Sequence, residues 1–146
     1  MQTLIKEGAF DADLVNQVNA NFALTSFGLG LGAPIAITAS GAINPFVPGN
    51  YIITKSTAAA VMTLAAPKAG APFFQNGVNI GGNDGMLISV FSYTAEAHTI
   101  TATGLLLTGT ADVNEATFAN IAGAGIVLMA YQGYWITVIQ NEITLS

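Results

Sequence analysis

The chain is expected to be all-β: an antiparallel β-sandwich or jelly-roll-like domain, preceded by one N-terminal helix and an extended Gly/Pro-rich arm. Three observations support this. After Pro48-Gly49, short β-rich runs alternate with turn residues and no helical period intervenes. A 3.6-residue apolar period is clear only near the N-terminus. Between the two lies a Gly-, Ala-, Ser- and Pro-rich stretch that suits neither element. The division is residues 1–47 for helix and arm, and 48–146 for the β-sandwich domain.

In the helix, Asp11 serves as the cap and Asp13 falls in the first turn, where a carboxylate favours the positive end of the dipole. Leu14, Val15, Val18 and Phe22 share one face, Asn16, Gln17, Asn19 and Asn21 mostly the other, and Phe10 staples onto Leu14 or Val15. The arm contains Gly28-Leu29-Gly30-Leu31-Gly32, too rich in glycine for a helix, where each costs about 1 kcal/mol relative to Ala. A short strand is expected at 35–38, just after Pro34. Strands follow at 50–55, 60–64, 86–93 and 98–103, with residues 67–85 as a loop region. Residues 126–131 and 134–140 form a hairpin around Gln132-Gly133, and 143–145 closes the sheet.

Only 11 of 146 residues are charged, with three Lys, no Arg, eight acids and a net charge of −5. The charged share of 8 % compares with about 25 % in an average soluble domain. A chain that is 52 % hydrophobic is not intrinsically disordered, and three lysines cannot neutralise a row of phosphates, so nucleic acid is excluded as a partner. Residues 14–54 carry no charge, yet their most apolar part, 22–37, is shorter than the roughly 20 residues of a membrane span. No membrane partner is expected. The N-terminus has no basic segment, apolar stretch and small-residue cleavage site in sequence, so no secretory signal is read there. No cysteine is present, so no disulfide or thiolate metal site can form.

Motifs for chemistry are absent. His98 is the single histidine; Glu96 shares its strand face, but no nucleophile accompanies the pair. Asp112 and Glu115 read as solvated charge around a turn. Gly81-Gly82-Asn83-Asp84-Gly85 shares glycine and aspartate with calcium-binding β-helix repeats, but it occurs once, and Asn-Asp-Gly is turn chemistry. Gly28-x-Gly30-x-Gly32 follows a helix rather than a strand and lacks the phosphate-binding spacing. No enzyme, cofactor or metal site is expected. Tyr131, Tyr134 and Trp135 cluster at the hairpin, either as an aromatic contact patch able to stack on a sugar or as an anchor in the sandwich. So few charges leave apolar surface and strand edges to be covered by other chains.

Several segments together resemble small virion proteins of tailed bacteriophages. They are Leu4-Ile5-Lys6-Glu7-Gly8 with the helix, Pro48-Gly49-Asn50-Tyr51-Ile52-Ile53-Thr54-Lys55, and Met62-Thr63-Leu64-Ala65-Ala66-Pro67. Ala97-His98-Thr99-Ile100-Thr101 and Leu128-Met129-Ala130-Tyr131-Gln132-Gly133-Tyr134-Trp135 extend the likeness over nearly the whole chain except 25–47. The resemblance implies a capsid decoration (cement) protein on the outer surface of the virion, commonly a homotrimer, with the major capsid protein as partner and no catalytic residues. On that expectation Leu4, Ile5, Phe10, Leu29, Leu31, Ile35 and Ile37 make the capsid or subunit contacts. The alternative is a head-fibre or tail-tip module that binds a host surface glycan through Tyr131, Tyr134 and Trp135.

Overall fold

The computed structural model describes residues 33–109 and 111–146. The expected helix at 11–22 and the contact residues Leu4, Ile5, Phe10, Leu29 and Leu31 lie outside that range. The described residues are all-β, and no helix among them is long and apolar enough to cross a membrane.

The order along the chain is β1 (Ile35–Ile37), β2 (Gly41–Ile43), β3 (Gly49–Ile53), β4 (Val61–Leu64), β5 (Phe74–Gln75) and β6 (Val78–Asn79). It continues with β7 (Leu87–Ser92), β8 (Thr99–Thr108), β9 (Ala111–Phe118), β10 (Gly125–Tyr131), β11 (Tyr134–Asn141) and β12 (Ile143–Leu145). Ten strands make one curled sheet in the path β1-β3-β7-β10-β11-β8-β4-β2, with β9 on β8 and β12 on β9; β5 and β6 pair separately. The two ends of the path, β1 and β2, are joined by only Thr38, Ala39 and Ser40. So short a link forces the sheet to curl until its ends meet.

The expectation of an antiparallel sheet is corrected: the sheet is mixed. β1, β3 and β7 run parallel, in the registers Ile35↔Tyr51↔Val90 and Ile37↔Ile53↔Ser92. β2, β4 and β8 also run parallel, with Gly41↔Met62↔Ile100. The N-terminal half of the fold is therefore three strand–bend–strand coils laid one on another: β1 with β2, β3 with β4, β7 with β8. The remaining pairs are antiparallel, β7 with β10, β10 with β11, β8 with β9, and β9 with β12, except that β11 runs parallel to β8 with Trp135↔Leu106. Residues 35–43, assigned to the arm from sequence, are thus part of the sheet, and Ile43 is core.

Period-2 alternation decides what is inside. Tyr51 and Ile53, Met62 and Leu64, Ile88 and Val90, Ile100 and Ala102, and Ile126 and Leu128 are buried in one cluster, closed by Phe118 and Trp135. Burying a side chain of this kind contributes about 1.5–3 kcal/mol.

His98 ties the second coil to the third. It is fully buried, and its Nδ1 accepts the Ala60 N–H at 2.8 Å, which requires the neutral ring. Nε2 then carries the proton and donates to Thr94 Oγ1 at 3.0 Å, while Thr94 Oγ1 donates to the Lys55 carbonyl at 2.8 Å. Burial lowers the His98 pKa; Glu96 opposes that by attraction and Lys55 adds to it by repulsion. Phe118 meets the ring edge-on at 6.2 Å between centroids. The histidine is a structural fastener between two bends.

Candidate interaction surface

Two apolar surfaces stand out, one on the curled sheet and one projecting. The first is the outer face of β3, β7, β10, β11 and the end of β8. Because side chains alternate, the residues opposite the core on these strands form cross-strand rows. One row is Leu87, Met129, Ile136 and Leu107, crossing four strands. A second is Asn50, Ser89, Val127 and Ile139, in which Ser89 Oγ donates to Asn50 Oδ1. A third joins Ile52, Phe91 and Gly125; a Cβ on Gly125 would lie 2.1 Å from the Phe91 ring, so glycine lets that ring lie across the strand. Tyr131 and Tyr134 end the face as a directly opposed pair. The first row ends in register at Asp112 on β9, and no other residue of these rows is charged. One-sided sheets ordinarily turn polar side chains outward, so this face is built like a buried one.

The aromatic group predicted at the hairpin is divided by the same alternation. Tyr131 and Tyr134 are 54 % and 39 % exposed. Trp135, one residue on, points the other way: it is 0 % exposed, and its Nε1–H donates to the Ala65 carbonyl at 2.9 Å. The exposed aromatic pair is therefore the two tyrosines, and the tryptophan is a core anchor. Gln132 and Gly133 turn the hairpin with φ of +50° and +88°, and Asp84 accepts from both the Gln132 backbone N–H and its side-chain Nε2, at 2.8 and 2.7 Å.

The projecting surface is a finger spanning residues 68–84, in the region read as a loop. Its tip is the β5–β6 pair turned by Asn76 and Gly77, with φ of +51° and +77°. Phe73, Phe74, Val78 and Ile80 are all exposed on it, Phe73 and Val78 at 61 %. An isolated two-stranded hairpin is marginal in water; this one is held by its base. Asn79 Oδ1 accepts from the N–H groups of Phe73 and Gly81, and its Nδ2 donates to the Gly82 carbonyl. Asn83 is fully buried: its Oδ1 accepts the Lys68 N–H at 2.7 Å and its Nδ2 donates to the Pro45 carbonyl at 2.9 Å. The two backbones of the base approach closely at Gly82, where a Cβ would meet the Gly70 carbonyl oxygen at 2.0 Å. Gly82→Ala is expected to cost about 1–3 kcal/mol by overpacking and to open the finger. Limited proteolysis should then cut within 69–82 much faster than in the parent chain.

The Asn83–Met86 turn predicted from Asn83-Asp84-Gly85 is present: the Met86 N–H donates to the Asn83 carbonyl at 2.9 Å and Gly85 has φ of +85°. Among the described residues, no group of three or more His, Cys, Asp or Glu side chains could hold a metal ion. Asp112 and Glu115 stand on β9 rather than at a turn, and Glu115 accepts from the hydroxyls of Thr101 and Thr117. Ile35 and Ile37, predicted as contact residues, are half-buried and pack against the core. They border a groove of about 280 Å³ together with Ile43, Tyr51 and Met62. Neither the known protein-family models nor the curated proteins contain a match to this chain.

Proposed function

We propose that the chain is a structural virion protein that decorates a phage capsid, bridging major capsid protein subunits from the outer surface of the shell as a homotrimer. The observation that carries this reading is the finger. A rigid base presents four exposed apolar side chains, and no charge occurs between Lys68 and Asp84. Such an element has a physical use when it is inserted into another protein. Pre-ordering the finger removes much of the ordering cost of that contact. Several fingers on one oligomer then bind together, so that weak contacts multiply. The likeness of the sequence segments to virion proteins directs the reading to a shell. The arm residues Leu4, Ile5, Phe10, Leu29 and Leu31 add to the contact in this proposal, while Ile35 and Ile37 support it from within the sheet. The role is structural rather than catalytic.

The alternative, a head-fibre or tail-tip module that binds a host glycan, rests on the exposed pair Tyr131 and Tyr134 without Trp135. Immunogold labelling of purified virions with an antibody against the chain separates the two. Dense label over the whole head is the expected result. Label confined to a few fibres or to the tail tip supports the alternative, and unlabelled virions overturn both.

A further inference from the structure

We infer that residues 11–22 lie across the open end of the coil stack of their own chain, with the apolar stripe Leu14, Val15, Val18 and Phe22 seated in the groove beside β1 and β2. None of these four residues belongs to the proposed capsid contacts, so the inference stands whatever the finger binds.

The stack is unfinished at its first coil. In the second and third coils the inward columns are buried: Tyr51 and Val90 in register with Ile35, Ile53 and Ser92 in register with Ile37. Ile35 and Ile37 themselves are only half-buried, because no coil precedes theirs among the described residues. The column through β2 lacks a side chain altogether. Met62 and Ile100 are buried in register with Gly41, and a Cβ on Gly41 would meet nothing within 4 Å. The result is the groove of about 280 Å³ that Ile43, Tyr51 and Met62 share with the first coil. It is smaller than the about 300–1,000 Å³ of small-molecule pockets, and no charged side chain lines it. A space of this kind suits a few apolar side chains. The outer edges of β1 and β2 also pair with no other strand among the described residues. Stacked repeats in general end in a cap whose outer face is polar, and a segment laid over a free strand edge keeps foreign strands away.

The course of the chain identifies the occupant. The described residues begin at Ala33, two residues before β1, so residues 1–32 enter the fold beside the groove. Within them, 11–22 has the sequence pattern a cap needs, with the apolar stripe on one face and Asn16, Gln17 and Asn19 mostly on the other. The 12 residues from 23 to 34 reach up to about 40 Å, ample for the segment to double back. A tether this short holds it at an effective concentration of about millimolar, so it outcompetes a second copy in dilute solution.

The test uses the full chain with one thiol, since the parent has no cysteine. Ile35→Cys places that thiol in the groove. Its reaction with a soluble maleimide is expected to be slow, and to quicken by about tenfold or more when Val18→Asp/Phe22→Asp is added, as the loss of one buried apolar side chain requires. Val18→Ala/Phe22→Ala, which adds no charge, should quicken it too, and decides the matter if the charged pair costs the sheet. Asn16→Asp/Gln17→Glu puts two charges on the opposite face and should leave the rate unchanged. Circular dichroism verifies that each variant keeps the sheet. A thiol equally slow, or equally fast, with and without the stripe overturns the inference. So does a rise of the same size in Asn16→Asp/Gln17→Glu. Protection that fades on dilution also overturns it, because a second copy would then be the cover.

Discussion

Trp135→Ala is expected to lower the unfolding free energy by about 3–5 kcal/mol, the range for deleting a large buried aromatic side chain. Three features place it at the top of that range. Trp135 is the largest fully buried side chain among the described residues. It stands opposite Ala130 on one neighbour and Leu106 on the other, so it fills the junction where the antiparallel half of the sheet meets β8. Its indole also holds the Ala65 carbonyl, fixing the exit of the chain from β4. Trp135→Phe separates the terms, keeping most of the packing and losing the hydrogen bond, for about 1–2 kcal/mol. Urea unfolding followed by circular dichroism reads both, at one fixed protein concentration because association adds to apparent stability. A Trp135→Ala midpoint within error of the parent would show that the indole is not a core anchor.

The second large effect is at His98. His98→Ala removes the acceptor of a buried N–H and leaves a cavity, together about 2–4 kcal/mol. The same residue gives the fold a pH dependence whose sign is determined by its neutral state. Its pKa in the folded protein is lowered by burial, whereas the unfolded chain has the ordinary value of about 6.5. Above that value both states are neutral and the contribution to stability is complete. As pH falls below it, the unfolded chain takes up a proton that the folded chain refuses. Stability is then lost at up to about 1.4 kcal/mol per pH unit until the folded value is reached. The thermal midpoint should be level from neutral to mildly alkaline pH and decline as pH falls below that of free histidine. His98→Gln retains an acceptor and a donor but does not titrate; it should be less stable at neutral pH and lose the early part of the decline. A variant with the full decline would assign the effect to carboxylates instead.

Local sequence carried the elements well. The runs at 50–55, 60–64, 86–93, 126–131 and 134–140 lie on β3, β4, β7, β10 and β11, because their apolar alternation and flanking breakers act within a few residues. Pairing direction was not legible. β3 lies beside β7 at a separation of 39 residues, Gly49↔Ile88, and parallel partners are ordinarily joined through a helix. Bends that contain another strand leave no such signal. β9 was hidden by its composition: Asp112, Asn114 and Glu115 favour turns, yet burial of Ala116 and Phe118 on the other face outweighs them. The finger did leave a signal, Asn76-Gly77, the pair most suited to two successive left-handed residues in a hairpin. The exposed face of Trp135's neighbours could have been separated from Trp135 itself by counting odd and even positions outward from Gln132-Gly133.

The stacked coils also dictate an order of events at the ribosome. β3 and β4 complete the pairing of β1 and β2 early, since Ile35 needs only Tyr51 and Gly41 only Met62. Their far edges then wait for residues 88–101, an interval of about 2–8 s at ordinary rates of translation. For those seconds two strand edges stay unpaired side by side, open to any passing strand. The yield of soluble protein should therefore depend on how quickly the stretch between Leu64 and Leu87 is synthesised, although the finger within it contributes no strand to the main sheet.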